Sequence, residues 1–187
     1  SADLAVMRPS LLPGLIEALR HNRARQQERV RLFELARALA AGDPPVETPS
    51  LAIAACGGAH AEQWGEPSRP FDFFDLKGEL DALIAWGGEP HRWSVHVDAL
   101  PGWLHPGRGA RVTRDGETVG YLGALHPQLA KVLDLGSDVH VLELALEPSP
   151  SGPSGVTSGR SSTKRVPRVV SSTKARTPCA SATTRTM

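Results

Sequence analysis

Long apolar runs are missing from this chain. Nothing approaches the ~20 consecutive apolar residues of a bilayer-crossing helix, which excludes a membrane-spanning helix. No positively charged start leads into an apolar stretch, so no secretory signal is expected. Cysteine is scarce: Cys56 and Cys179 are the only two in 187 residues. Two cannot build a disulfide framework, and they suit a reducing compartment. Glycine-rich phosphate loops, the Gly-x-Ser-x-Gly nucleophile turn and the His-Glu-x-x-His zinc motif are absent too. What remains is a chain of 40 % apolar and 22 % charged residues. That composition supports a buried core, and the length suits one domain of about 100–150 residues plus a tail. The chain opens on Ser1 rather than methionine, and the expectation is a piece cut from a longer protein.

Acidic residues are missing from one end. All twenty Asp and Glu lie within 1–148, with fourteen Lys and Arg, a balance of −6; residues 149–187 carry seven Lys and Arg and no acid. Sixteen of those last 39 residues are Ser or Thr, and none is Leu, Ile, Phe, Trp or Tyr. Such a segment cannot bury enough apolar area to offset the entropy of ordering its backbone, so it is expected to be disordered. Ser161-Ser162-Thr163-Lys164 returns as Ser171-Ser172-Thr173-Lys174. Three readings stay open: a basic arm for nucleic acid, a solvated tail without function, or an out-of-frame end.

Periodicity in 1–148 gives a run of elements. Ser10 suits an N-cap and Pro13 the first turn of a helix over about 10–22, with Leu12, Leu15, Ile16 and Leu19 as one apolar stripe and Arg20, His21 and Arg23 near its C-terminus. Residues 29–41 have helical composition yet read equally as a buried strand. A loop is expected at 42–45 and a strand at 51–56, closed by Gly57-Gly58. Asp72 then opens a helix whose Leu76, Leu80, Leu83 and Ile84 share a face, with Phe73 and Phe74 as core and Gly87-Gly88 as the stop. Residues 91–97 alternate as a half-buried strand around Trp93, Val95 and Val97. Asp115-Gly116 makes a two-residue hairpin turn that sets Arg114 against Glu117, Val112 against Val119 and Ala110 against Tyr121. A short helix follows Pro127, with Leu129, Val132 and Leu133 on its apolar side and Gly136 as its stop. Residues 139–146 form a strand with one strongly apolar face. Hairpin strands with inserted helices predict an α+β fold with a mainly antiparallel sheet flanked by helices.

Residues that bear chemistry are few. Cys56 and His60 lack a second pair at zinc spacing, so Cys56 reads as a structural residue. Asp72, Asp75, Glu79 and Asp81 are an acidic cluster; a cation or acid–base site is one reading, helix capping the favoured one. His105 and His126, each in a Leu-His-Pro triplet, are the histidines that a small hydrolase would pair with Asp72 or Asp75. By default they are turn or cap residues.

The ordered words of the chain carry a resemblance. They run Val6-Met7-Arg8-Pro9-Ser10-Leu11-Leu12-Pro13-Gly14-Leu15, then Val30-Arg31-Leu32-Phe33-Glu34, Glu62-Gln63-Trp64-Gly65 and Phe71-Asp72-Phe73-Phe74-Asp75-Leu76-Lys77-Gly78. Leu104-His105-Pro106-Gly107-Arg108, Gly120-Tyr121-Leu122-Gly123-Ala124-Leu125-His126-Pro127 and Val141-Leu142-Glu143-Leu144 follow. In this order and spacing, residues 3–147 resemble the catalytic-like module of bacterial phenylalanine–tRNA ligase beta subunits. The resemblance implies a class II synthetase-like antiparallel sheet, with residues 30–35 as a strand. It implies a catalytically dead copy with no cofactor of its own. ATP and magnesium would serve the alpha subunit, in an alpha2-beta2 heterotetramer that charges tRNA in the cytoplasm.

The resemblance also implies a contact with alpha through Arg8, Pro9, Ser10, Leu12 and Leu15, and through His105, Pro106, Gly107 and Arg108 in a loop before the hairpin. Intramolecular core for Leu15 and a plain structural turn for 105–108 are the alternatives. After residue 146 the family's next motif is not recognisable, so the expectation is a module of residues 1–148 incomplete at its C-terminus. Such a chain is expected to lack aminoacylation activity by itself.

Overall fold

The computed structural model describes residues 8–40, 45–65, 67–136 and 138–146. The expected tail at 149–187, Cys179 and most of the expected loop at 42–45 lie outside the described residues. Six strands form one sheet in the order β1-β2-β6-β5-β4-β3, and every neighbouring pair is antiparallel. They are β1 (Val30–Ala40), β2 (Val46–Cys56), β3 (Trp93–His96), β4 (Leu104–Arg114), β5 (Glu117–Leu125) and β6 (Val139–Ala145). The helices are α1 (Leu12–Ala24), α2 (Phe73–Gly87) and α3 (Pro127–Val132). The architecture is α+β, as the alternating hairpins and helices predict.

Each face of the sheet carries its own core. On one, Leu11, Leu12, Leu15 and Leu19 meet Ala52, Ala54, Val139 and Val141. On the other, Leu76, Leu80 and Ile84 of α2 meet Ala110, Val112, Leu122, Leu142 and Leu144. Strand side chains alternate between faces, so a strand covered on both sides must be apolar almost throughout. This corrects the expectation for β6: Val139, Val141, Leu142 and Leu144 are all at most 3 % exposed, and the strand has two buried faces.

Residues 30–40 form a strand despite their helical composition. Burial of Val30 and Ala38 and the ladder to β2 outweigh the local preference. β2 starts five residues before the expected 51, and the strand expected over 91–97 shrinks to four residues behind a 3₁₀ turn at Pro90–Arg92.

The α2 boundaries were legible. The Asp72 carboxylate accepts from the N–H groups of Phe74 (2.8 Å) and Asp75 (3.0 Å), and Asp75 accepts from Asp72 N–H (2.9 Å), a closed capping box. Phe74 is not core: it is 75 % exposed. Leu83 sits at the margin of its face and Val132 on the outside of α3, 38 % and 81 % exposed.

The turn at Asp115-Gly116 has positive φ at both residues (53° and 82°), and Arg114 opposes Glu117 as expected. Beyond it the expected register fails. A bulge between Val112 and Thr113 sets Val112 against Gly120 and Ala110 against Leu122. One extra residue in one strand shifts every later pair, and turn chemistry cannot report it.

Candidate functional site

Residues 8–15 meet the sheet through charge. Arg8 pairs with Glu34 on β1 at 2.5 Å, and its carbonyl accepts from Leu39 N–H at 3.0 Å. Ser10 is not the N-cap; Leu11 is, and it has no side-chain cap. The capping group comes from elsewhere. Glu143 on β6 accepts from Leu11 N–H at 2.6 Å and from the Ser10 hydroxyl at 2.8 Å, while Ser10 Oγ accepts from Leu12 N–H at 3.2 Å. A carboxylate thus lies at the positive end of α1. Leu12 and Leu15 are 5 % and 6 % exposed within the module's own core, so Arg8 and Pro9 are the exposed members of this group.

Residues 105–108 are part of β4, not a loop before it. The ladder skips from Leu104↔Leu125 to Gly109↔Gly123, and the four residues bulge outward between. Gly107 N–H donates to His105 Nδ1 at 3.0 Å, and Arg108 pairs with Asp138 at 2.5 Å. The Arg108 guanidinium holds the Asp138 carboxyl below its ordinary range. Gly107 and Arg108 border a cleft on the α2 face, whereas Ser10 is bound to Glu143 on the α1 face. The two groups are not brought together.

The cleft has a volume of about 740 Å³. Phe71, Phe73, Phe74 and Val97 supply apolar wall, and His140 and the backbone of Gly57 and Gly58 complete it. Arg31 holds this end in place from β1. Its guanidinium donates to the carbonyls of Cys56 (2.6 Å) and Gly58 (2.7 Å) and lies 4.0 Å over the Phe71 ring. Phe71 meets His140 edge-on at 5.6 Å.

His140 is 2 % exposed, and its Nδ1 has no protein partner. Burial pushes its pKa below the ordinary value, with the neighbouring Asp138 pulling back. The folded state therefore resists a proton that the unfolded chain accepts near pH 6.5. Stability is expected to fall as pH drops through that value. Asp75 acts in the same direction at lower pH. Its two bonds to Arg69, at 2.6 and 2.7 Å, lower its pKa to about 2, so the stability it adds is present above about 3.8 and lost on descent toward 2. Urea unfolding of wild type and His140→Phe at pH 7 and pH 5.5 checks the histidine part: the wild type should lose stability between the two, and the variant should lose less.

The acidic cluster resolves as capping and pairing. Asp72 and Asp75 close α2, and Asp81 pairs with Lys77 at 2.7 Å. Among the described residues no group of three or more His, Cys, Asp and Glu is placed to hold a metal ion. His126 accepts from Gln128 N–H at 3.3 Å and caps α3, and His105 serves its own bulge, so neither reaches Asp72 or Asp75 as a hydrolytic pair requires. Cys56 is a buried free thiol in β2. No described helix is long and apolar enough to cross a membrane.

Sequence reasoning missed the outer face of β1. Leu32 and Ala36 turn toward the α1 core, while Phe33 and Leu35 stand 75 % and 65 % exposed on the other face. β1 is an edge strand, and Phe33 and Leu35 oppose the half-buried Ile53 and Leu51 of β2. The two-residue spacing of Phe33 and Leu35 was the available signal; that α2 stops short of this edge is a property of the sheet.

Known proteins share the sequence of this module. The family model for the phenylalanyl tRNA synthetase beta chain CLM domain matches residues 1–146. The phenylalanine–tRNA ligase beta subunit of Xylella fastidiosa (strain 9a5c) is 51 % identical over 152 residues, and that of Xanthomonas campestris pv. campestris (strain 8004) 51 % over 151. Each alignment takes in 79 % of this chain and 19 % of the relative, so the chain spans about a fifth of their length. Among solved structures, the pyrrolysyl tRNA synthetase PylSc of Desulfitobacterium hafniense aligns over 74 % of this chain and 47 % of its own, with TM-score 0.47 and 14 % identity. By its sequence from residue 1 to 146, the chain belongs to the family of phenylalanyl tRNA synthetase beta chain CLM domains.

Proposed function

We propose that this module is a non-catalytic scaffold: it docks on the alpha subunit of a phenylalanine–tRNA ligase and holds that subunit's active site in shape. In this reading alpha binds ATP, magnesium and phenylalanine. The module itself carries no cofactor, and it meets tRNA only through the assembled cytoplasmic alpha2-beta2 complex. The observation that supports it is the uncovered apolar face of edge strand β1. An exposed apolar edge invites pairing with another chain, and soluble domains usually blunt it with charge or proline. Here Phe33 and Leu35 stand out between the charged Arg31, Glu34 and Arg37. Covering both side chains contributes on the order of 3 kcal/mol, enough to anchor an interface that the rest of the surface completes. Arg8 and Pro9 extend the same edge, since the Arg8 carbonyl is bonded to Leu39 of β1.

Co-expression with a tagged cognate alpha subunit tests this. The wild-type chain should co-purify with alpha. The double variant Phe33→Asp, Leu35→Asp should not, while its circular dichroism and melting stay near wild type because both positions are exposed. Failure of a folded wild-type chain to bind alpha contradicts the proposal.

A further inference from the structure

We propose that the cleft between the start of α2 and the 105–108 bulge binds a neutral, planar aromatic small molecule. Its volume of about 740 Å³ lies within the range of small-molecule sites, about 300–1,000 Å³, that are mostly apolar with a few fixed polar groups. Phe71 and Phe73 line it, and Phe74 and Val97 stand at its border, 75 % and 81 % exposed. Aromatic walls favour a flat guest through offset and edge contacts.

The charges select against an ion. The two arginines of the wall are already matched: Arg69 to Asp75 by two bonds of 2.6 and 2.7 Å, and Arg108 to Asp138 at 2.5 Å. An anionic guest must break one of these pairs to gain a partner. A cationic guest must compete with Arg108 for Asp138, or with the α2 N–H groups and Arg69 for Asp72. A neutral ring loses little hydration on entry and disturbs neither pair. A phosphate cradle is disfavoured as well, because the N–H groups of Phe74 and Asp75 are taken by the Asp72 carboxylate.

Glycines report the site. Gly57, Gly58, Gly107 and Gly109 all line the cleft, so their amide resonances move when it fills. The test uses the full ¹⁵N-labelled chain, with indole as the probe, and indole-3-acetate and tryptamine as its anionic and cationic counterparts. Indole should shift these glycine amides saturably, and both charged probes should bind about tenfold or more weakly, as expected for carrying an unpaired charge into an apolar wall. Phe74→Asp, at an exposed position that leaves the fold intact, should abolish the shifts. Indole leaving all four glycines unmoved at millimolar concentration overturns the proposal. So does equal binding of either ion, or an unchanged response in a folded Phe74→Asp chain.

Discussion

Gly120→Ala should strongly destabilise the module. Gly120 lies in β5, opposite Leu144 of β6 and Val112 of β4, in the middle of the sheet. A Cβ built there stands 2.0 Å from the Glu143 carbonyl oxygen and 2.9 Å from a Leu144 methyl carbon. Backbone cannot yield as a flexible side chain can, and β5 is held on both sides. The methyl must therefore drive β5 and β6 apart or expel Leu144, which is 3 % exposed, from the α2 core. A loss of about 4 kcal/mol or more is expected, against a typical domain stability of about 5–15 kcal/mol. Gly78→Ala is the contrast: it lies inside α2 with nothing within 4 Å of the new methyl, and a gain of about 0.5–1 kcal/mol is expected from lost backbone freedom. Melting followed by circular dichroism should separate the two by many degrees, in opposite directions from wild type.

Glu143→Leu should be the next most damaging change. Its carboxylate is half-buried and takes two hydrogen bonds, from Leu11 N–H and the Ser10 hydroxyl. Leucine leaves both donors without a partner at the end of a helix whose own N-cap supplies no side-chain bond. Charge-assisted bonds of this kind contribute about 1.5–3 kcal/mol each, and an unsatisfied donor costs about 1–3 kcal/mol, so a loss of about 3 kcal/mol is expected. Glu143→Gln keeps one acceptor and the shape, and should lose about half as much. Urea unfolding measures the series; equal stability of all three proteins removes Glu143 from the account.

These two residues mark what a single chain makes legible. Asp72, Asp75 and Gly88 were readable because capping is local: donor and acceptor lie within three residues, and Gly88 needs only its own positive φ. The Asp115-Gly116 turn was readable for the same reason. The bulge between Val112 and Thr113 was not, because an extra residue in the ladder lies outside the turn and leaves no mark on its chemistry. Ser10 has the right chemistry for a cap and sits one position too early; the group that closes the helix is 132 residues away from Leu11. Of the interface residues implied by resemblance, Leu12 and Leu15 lie inside the module, and 105–108 belong to a strand. The exposed pair Phe33 and Leu35 lay in a stretch whose composition suits helix and strand alike. Only the strand order, with β1 at one edge, shows that their face is uncovered.

Hydrogen exchange along β1, with and without the alpha subunit, tests the scaffold account most directly. Leu39 N–H points outward to the Arg8 carbonyl, and antiparallel alternation sends the amides of Phe33 and Leu35 toward the same edge, where no described residue bonds them. Addition of alpha should slow exchange at Phe33 and Leu35 at least tenfold, while buried β6 amides such as Val141 stay as they are. A stable complex in which Phe33 and Leu35 exchange as fast as in the free chain would contradict the account.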